Sequence, residues 1–274
     1  MTQRTIAPSA PTAPQRPGAP TGSAPVAPSS SRPRPAPTDW VDPNQIPYDP
    51  ARVKVLGCAT VIEEMVPLMP PEMAREVLDF GLHLHPGQLT ARLQESIDAS
   101  HGFDWILLGY GLCSHAVIGL QATTAALVVP AVDDCIAIFM GSRDAYNAQA
   151  RREPGTYYLT KGWIEVGDSP FEEERRLAAK YGEAQAARMV GLMLRNYRRL
   201  AFINTGPYDL ERYRDYARRC AERFGLRYEE LQGAPTLVEK LLFGPWHEVC
   251  VVVPKGGTIE LDAFYPPDPQ VVRQ

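Results

Sequence analysis

Three of the five cysteines come shortly after apolar runs that are typical of buried strands. Cys58 follows VKVLG, Cys113 follows DWILLGYGL, and Cys135 follows ALVVPAVDD. In open α/β sheets ligands bind outside the carboxyl ends of the strands, so these three thiols are expected to converge on one edge. Thiolates are the ligands of zinc and of iron–sulfur clusters. Three thiolates also leave one position open on a tetrahedral metal, as catalytic sites require.

The surroundings of two of these cysteines favour a thiolate site. Cys113 and Cys135 are expected near the starts of helices, where free amide groups and the helix dipole stabilise a thiolate. Gly109 and Gly111 permit close approach of the backbone. His115 lies two residues after Cys113 and is a candidate fourth ligand, as is a substrate.

Two other interpretations of the cysteines stay open. Free cysteine is commonly a small buried hydrophobe, and three widely separated cysteines are less specific than paired C-x-x-C motifs. The thiols are then structural, or two of them form a redox pair with a reversible disulfide. Cys220, on the apolar stripe of a helix, and Cys250, within VCVVV, are expected to be buried packing residues.

The polar residues near the cysteines suggest a rival occupant, a small anionic ligand. Asp134 precedes Cys135 and is a candidate ligand or an N-cap. In this rival hypothesis the chain is a non-catalytic binding or accessory protein. Gly109, Gly111, Arg143 and Lys161 would hold the anion. Lys161 belongs to the aromatic segment TYYLTKGW, which is either a lid over the site or packed structure.

The apolar pattern predicts alternating strands and helices. Strands are predicted at residues 53–57, 82–85, 104–108, 126–129, 199–203, 226–231 and 249–253. Helices are predicted at residues 71–80, 88–99, 115–123, 135–150, 171–181, 183–197, 210–224 and 237–242. This alternation indicates an α/β fold with a mostly parallel sheet and helices on both faces, a Rossmann-like three-layer arrangement. Glycine-rich nucleotide motifs and hydrolase motifs are absent from the sequence.

The composition limits the class of protein. The 274 residues carry 28 Lys and Arg against 32 Asp and Glu, a net charge of -4 that argues against nucleic-acid or anionic-membrane partners. Five cysteines do not make a disulfide scaffold, and no apolar run reaches the roughly 18 residues of a membrane span. Ten of the 27 prolines precede Asp39. Residues 1–50 are therefore predicted to be a disordered Pro/Ala/Ser-rich tail and surface lead-in, and residues 51–274 a single cytoplasmic α/β domain.

Three segments together resemble a known family. They are GYGLCSHAVIGLQA at residues 109–122, VPAVDDCIAIFMGSRDAY at 129–146 and EPGTYYLTKGW at 153–163, and the opening VKVLGC fits as well. Over residues 53–253 the chain is similar to the bacterial and archaeal "domain of unknown function sixteen-thirty-eight". The resemblance implies an α/β fold and matching motif cysteines at Cys58, Cys113 and Cys135. It also implies a corrinoid-system protein of one-carbon methyl metabolism as a partner.

The sequence therefore predicts a metalloprotein of unknown reaction. Its cofactor is zinc or an iron–sulfur cluster bound through Cys58, Cys113 and Cys135. The substrate, the reaction and the oligomeric state stay open, and so does the choice between an enzyme and a binding protein.

Overall fold

The computed structural model describes residues 48–113, 115–166, 169–206 and 209–265. Its strands, in chain order, are β1 (Val53–Cys58), β2 (Ala74–Leu78), β3 (Trp105–Gly109), β4 (Ala126–Pro130), β5 (Thr156–Leu159), β6 (Arg199–Asn204), β7 (Arg227–Gln232) and β8 (Cys250–Val253). Its α-helices are α1 (Ala59–Met65), α2 (Pro86–Asp98), α3 (Cys135–Phe139), α4 (Arg143–Arg152), α5 (Lys161–Glu165), α6 (Pro170–Tyr181), α7 (Glu183–Leu194), α8 (Glu211–Arg223) and α9 (Thr236–Phe243). None of these helices is long and apolar enough to cross a membrane.

The first sheet has five strands in the order β2-β1-β3-β4-β8. The first four are parallel, and β8 is antiparallel to β4 at the edge. Every residue of β3 is buried, as expected for a central strand covered on both faces. The carboxyl ends of β1, β3 and β4 lie side by side, which brings the segments that carry the cysteines to one edge. The predicted α/β class with mostly parallel strands is confirmed.

The remaining strands form a second parallel sheet, β5-β6-β7. Strand β6 is buried on both faces, and its alternate residues belong to different cores. Leu200 and Phe202 pack in the cluster around α8, whereas Ala201 and Ile203 pack in the larger cluster around the first sheet. The alternation of strands and helices did not distinguish two sheets from one, because both arrangements give the same pattern along the chain.

Two predicted elements near β2 are wrong. Residues 71–80 were expected to form a helix, but the structure has β2 there, paired in parallel with β1. Glu76 on β2 pairs with Lys54 on β1 at 2.8 Å and accepts a hydrogen bond from Ser96. These contacts outweigh the helix preference of the segment. The predicted strand at 82–85 belongs to a 3-10 helix, Phe80–Leu84.

Two predicted helices also differ from the structure. The segment 115–123 was expected to be helical, but it consists of turns. It is hydrogen-bonded through its backbone to residues 256–259; for example, the Gly119 N–H donates to the Ile259 carbonyl. The helix predicted at 135–150 is divided into α3 and α4. Gly141 between them has φ +81° and lies against Ala234, and Ser142 caps α4. The other predicted strands and helices are confirmed to within three residues at each end.

The predicted disordered tail lies almost entirely outside the described residues. The surface lead-in that was predicted to follow the tail is described from Tyr48 onward. Tyr48 packs on the folded part of the chain. Its hydroxyl donates a hydrogen bond to the Leu242 carbonyl at 2.6 Å, and its ring lies edge-on to Phe243 and Trp246.

Candidate functional site

Cys58 is the last residue of β1 and the N-cap of α1. Its side chain is fully buried, and its Sγ lies 3.0 Å from Oγ1 of Thr60, with which it shares a hydrogen bond. Burial raises the pKa of the Cys58 thiol, although hydrogen bonds from Thr60 and Val61 act in the opposite direction. Without a bound cation, this thiol is protonated near neutral pH.

The loops that follow β3 and β4 are hydrogen-bonded to each other. The N–H of Leu112 donates to the Val132 carbonyl at 2.9 Å, and the N–H of Cys113 donates to the Asp133 carbonyl at 3.2 Å. Gly111 makes this close approach possible. A Cβ at this position would lie 2.8 Å from the Val132 oxygen and 2.9 Å from the Asp134 nitrogen. The glycine that was predicted to allow close approach therefore brings Cys113 next to the start of α3.

Replacing Gly111 with alanine is expected to destabilise the protein by about 1–3 kcal/mol, because backbone atoms would have to shift to make room for the methyl group. Denaturant unfolding of the Gly111→Ala variant measures this effect. Gly87→Ala is the matched control, since no atom lies within 4 Å of a Cβ at that helical position. We expect the control to be neutral or slightly stabilising. Equal stability of the two variants would contradict the tight contact.

Cys113 and Cys135 are held in well-defined local geometries. Cys113 has φ +45°, a left-handed conformation that is uncommon for residues other than glycine and that often marks functional positions. Cys135 is the first residue of α3, and the Asp134 side chain caps this helix by accepting a hydrogen bond from the Ile136 N–H at 2.9 Å. Cys135 is therefore at a helix start as predicted, whereas Cys113 lies in a turn.

The three thiols influence one another's charge state. Burial, together with negative charge on Cys58, raises the pKa of Cys113 to about 12. The pKa of Cys135 is raised by burial and then by charge on Cys113 and Cys58. Asp134 adds to the effect on Cys113 and Cys135. Ionising Cys58 therefore makes it harder to ionise Cys113 and Cys135, and ionising Cys113 makes it harder to ionise Cys135.

Tyr110 belongs to the same group, and the sequence analysis did not single it out. It directly follows β3, and the pairing of Gly57 with Gly109 places it beside Cys58. Its side chain is 1% exposed, and its hydroxyl has no hydrogen-bond partner among the described residues. Burial raises the pKa of the phenol, and charge on the three cysteines raises it further. The signal in the sequence was an aromatic residue between two glycines at the end of a strand.

His83 connects Tyr110 to a neighbouring cavity. Its ring stacks on Phe80 and lies 5.9 Å from the Tyr110 ring, centroid to centroid. Nδ1 of His83 lies 2.9 Å from the Phe80 carbonyl, and when Nδ1 donates to this oxygen Nε2 is left as an acceptor. The cavity, of about 750 Å³, is bordered by His83, by the end of β2 and by Ala59, the residue after Cys58.

The polar residues predicted to bind a small anion make contacts within the protein. Arg143 donates to the Asp133 carboxylate and to the Phe264 carbonyl, each at 2.9 Å, and stacks on the Tyr265 ring. Tyr265 also donates a hydrogen bond to Asp133. These contacts join the 3-10 helix Leu261–Phe264 and the following Tyr265 to the loop that is hydrogen-bonded to Cys113.

Lys161, Gly109 and His115 have surroundings that differ from those of Arg143. Lys161 pairs with Glu63 at 2.8 Å and begins α5, whose Gly162 packs against Thr60. The aromatic segment around Lys161 forms β5 and α5. Gly109 lies against Val61 and Met65 of α1. His115 is exposed, with φ +67°, on the turn after Cys113.

No group of three or more His, Cys, Asp or Glu side chains among the described residues has the arrangement of a bound metal ion. The three sulfurs are therefore not arranged around one point in this structure. The other two cysteines lie elsewhere. Cys220 is buried in the core around α8, and Cys250 is on β8 opposite Pro130.

Comparison with known proteins identifies the family without naming an activity. The family described as "Protein of unknown function (DUF1638)" matches residues 77–242, which is more than half of the chain. The match is narrower than the resemblance at 53–253 and contains Tyr110, Cys113 and Cys135, but it begins after Cys58. A search of curated proteins and a search of solved structures each found no match. The chain belongs to the DUF1638 family.

Proposed function

We propose that this chain is a metalloprotein in which Cys58, Cys113 and Cys135 bind zinc or an iron–sulfur cluster as thiolates. One observation carries the proposal: the three cysteines follow neighbouring parallel strands at one edge of the sheet, and negative charge on Cys58 opposes the ionisation of Cys113 and Cys135. A cation among them would neutralise the charge that burial and mutual repulsion disfavour.

The chemistry of the donor set fits this group. Soft thiolates select zinc and iron–sulfur clusters over hard cations such as Mg²⁺. In the reducing cytoplasm, the compartment we propose, such thiols stay available for a metal. Because the three sulfurs are not arranged around one point, metal binding would require the cysteine side chains to rotate.

Three protein ligands would leave one coordination position for a substrate or a water molecule. Zinc would supply Lewis acidity or a bound nucleophile there, and a cluster would supply an open iron for substrate or electrons. The protein's own contribution is to exclude water and fix geometry. Cys58 is buried where β1 leads into α1, and the loop of Cys113 is hydrogen-bonded to the loop of Asp133.

The two other interpretations have less support. In the anion-binding alternative, Arg143 and Lys161 would have to release Asp133 and Glu63, their present carboxylate partners. In the redox alternative, the thiols would need a substantial thiolate fraction, which the raised pKa values of Cys113 and Cys135 oppose. The corrinoid-system partner stays a prediction.

Anaerobic purification followed by elemental analysis and an absorption spectrum tests the proposal. We expect about one zinc per chain without colour, or iron with matching sulfide and a broad band in the visible range. Cys58→Ser, Cys113→Ser and Cys135→Ser are each expected to lose most of the metal. Cys220→Ser is the matched control, because Cys220 is buried in the other core. Full metal occupancy in all three site variants, or none in the wild type under zinc or iron supplementation, would contradict the proposal.

A further inference from the structure

The cavity of about 750 Å³ beside His83 lies where β2 ends, at the carboxyl edge of the first sheet. The end of β2, the 3-10 helix Phe80–Leu84 and residues of the α5–α6 region border it. Its volume is within the range of small-molecule sites, and parallel α/β sheets bind their ligands outside the carboxyl ends of the strands. The cavity therefore has the size and the place of a ligand site.

Most of the cavity wall is apolar. Two of its apolar side chains, Leu84 and Val77, are 81% and 52% exposed, so much of their surface is in contact with water. A ligand with an apolar body would cover this surface, which favours binding. The apolar residues that border the cavity are Ala59, Val77, Leu78, Phe80, Leu84 and Val166.

Two hydrogen-bond acceptors, Asp79 and His83, border the same cavity. Oδ1 of Asp79 accepts a hydrogen bond from the Gly81 N–H at 2.6 Å, and no described residue donates to its other carboxylate oxygen. Nδ1 of His83 donates to the Phe80 carbonyl, so Nε2 is an acceptor, and no described residue donates to it. Two acceptors, one of them negatively charged, match an ammonium group, which has three N–H donors.

Arg176 of α6 brings a positive charge to the cavity. Its side chain is 62% exposed and pairs with Glu173 at 2.6 Å. An exposed pair of this kind is weak, and the planar guanidinium is suited to bind a carboxylate. The opposite charges of Asp79 and Arg176 are therefore complementary to a ligand that carries both an ammonium group and a carboxylate.

We infer that this cavity binds an apolar α-amino acid. The ammonium group donates to the Asp79 carboxylate and to Nε2 of His83, the carboxylate accepts from Arg176, and the side chain packs on the apolar wall. The inference goes beyond the proposed metal centre and uses none of its cysteines. Either can therefore fail without the other.

Isothermal titration calorimetry of the full chain tests the inference. The probes are L-leucine, L-phenylalanine and two analogues of leucine, namely isocaproate, which lacks the ammonium group, and isoamylamine, which lacks the carboxylate. We expect at least one of the amino acids to bind with a Kd below about 1 mM. If leucine binds, each analogue should bind about tenfold more weakly, because each loses one set of charge-assisted hydrogen bonds.

Arg176→Gln examines the carboxylate side of the cavity. We expect this variant to bind the amino acid about tenfold more weakly and to bind isoamylamine as the wild type does, because isoamylamine has no carboxylate. Arg175→Gln is the matched control. Arg175 lies on the same helix and pairs with Glu172 as Arg176 pairs with Glu173, but it is not among the described residues that border the cavity.

Asp79→Asn examines the ammonium side. The amide keeps an oxygen that can accept from the Gly81 N–H, but it removes the negative charge. We expect about tenfold weaker binding of the amino acid and unchanged binding of isocaproate. Asp49→Asn is the control, because Asp49 caps another 3-10 helix in the same way, by accepting from the Ala51 N–H.

Three results would overturn the inference. The first is that neither amino acid binds at concentrations up to about 10 mM. The second is that isocaproate or isoamylamine binds as tightly as leucine, since the cavity would then recognise only one charge. The third is that Arg175→Gln and Asp49→Asn weaken binding as much as the variants of the cavity, since the effect would then not be local.

Discussion

Metal binding to this protein is expected to strengthen steeply as the pH rises through neutrality. The pKa of Cys113 is raised to about 12, and the pKa values of Cys58 and Cys135 are also raised above the ordinary range of a thiol. Below these values all three groups are protonated, so each thiolate ligand must release a proton when metal binds. Three released protons make the apparent association constant rise by up to about a thousandfold per pH unit.

Competition with a chromophoric chelator at several pH values measures this slope, after correction for the protonation of the chelator itself. Calorimetry in two buffers with different heats of ionisation counts the released protons independently. The weaker residual binding of Cys113→Ser supplies the comparison. A hydroxyl does not ionise in this range, so the pH slope of its association constant is expected to fall by about one proton. A pH-independent affinity in the wild type would show that the thiols are not the ligands.

The position of the cysteines could be predicted because it depends on short-range patterns. Buried parallel strands appear in the sequence as continuous apolar runs, and β1, β3 and β4 were found in this way. The rule that ligand sites lie beyond the carboxyl ends of such strands then placed Cys58, Cys113 and Cys135 at one edge. No contact between distant residues had to be known for this step.

Other features could not be predicted, because they depend on contacts between distant segments. Strand β2 has the composition of a helix, and it is a strand because it pairs with β1 and because Glu76 meets Lys54. Tyr110 and His83 lie 27 positions apart in the sequence, and only the fold brings their rings together. Arg143 was predicted to bind a small anion, because the sequence did not show that it pairs with the Asp133 carboxylate.

Replacing Glu229 with glutamine is expected to destabilise the protein by about 3 kcal/mol, which is a large effect for one charge. Its partner Arg199 on β6 is fully buried and lies 3.0 Å from the Glu229 carboxylate. Arg199 also donates to Oγ1 of Thr156 at 2.9 Å. A neutral side chain at position 229 would leave the buried guanidinium of Arg199 without its counter-ion. Removing one partner of a buried ion pair lowers stability by more than the intact pair contributes to it.

The effect should also depend on pH in a defined direction. Hydrogen bonds from Arg199 and Arg227 lower the pKa of Glu229, so the stabilising contribution is present above the ordinary carboxyl pKa and is lost as the pH falls through the lower, folded value. The stability difference between wild type and Glu229→Gln should therefore shrink in acid. Urea unfolding at neutral and acidic pH tests both points.

Glu95→Gln provides the control for Glu229→Gln, because Glu95 pairs with Arg92 at the surface, where both side chains are at least half exposed. An exposed pair of this kind is worth at most about 1 kcal/mol, so the control should be close to the wild type. Because Glu229 and Arg199 lie on the second sheet, the variant should also keep the metal content of the wild type while it is folded. An equally small effect at both positions would mean that Arg199 is stabilised without Glu229, by Thr156 and Gln149 alone.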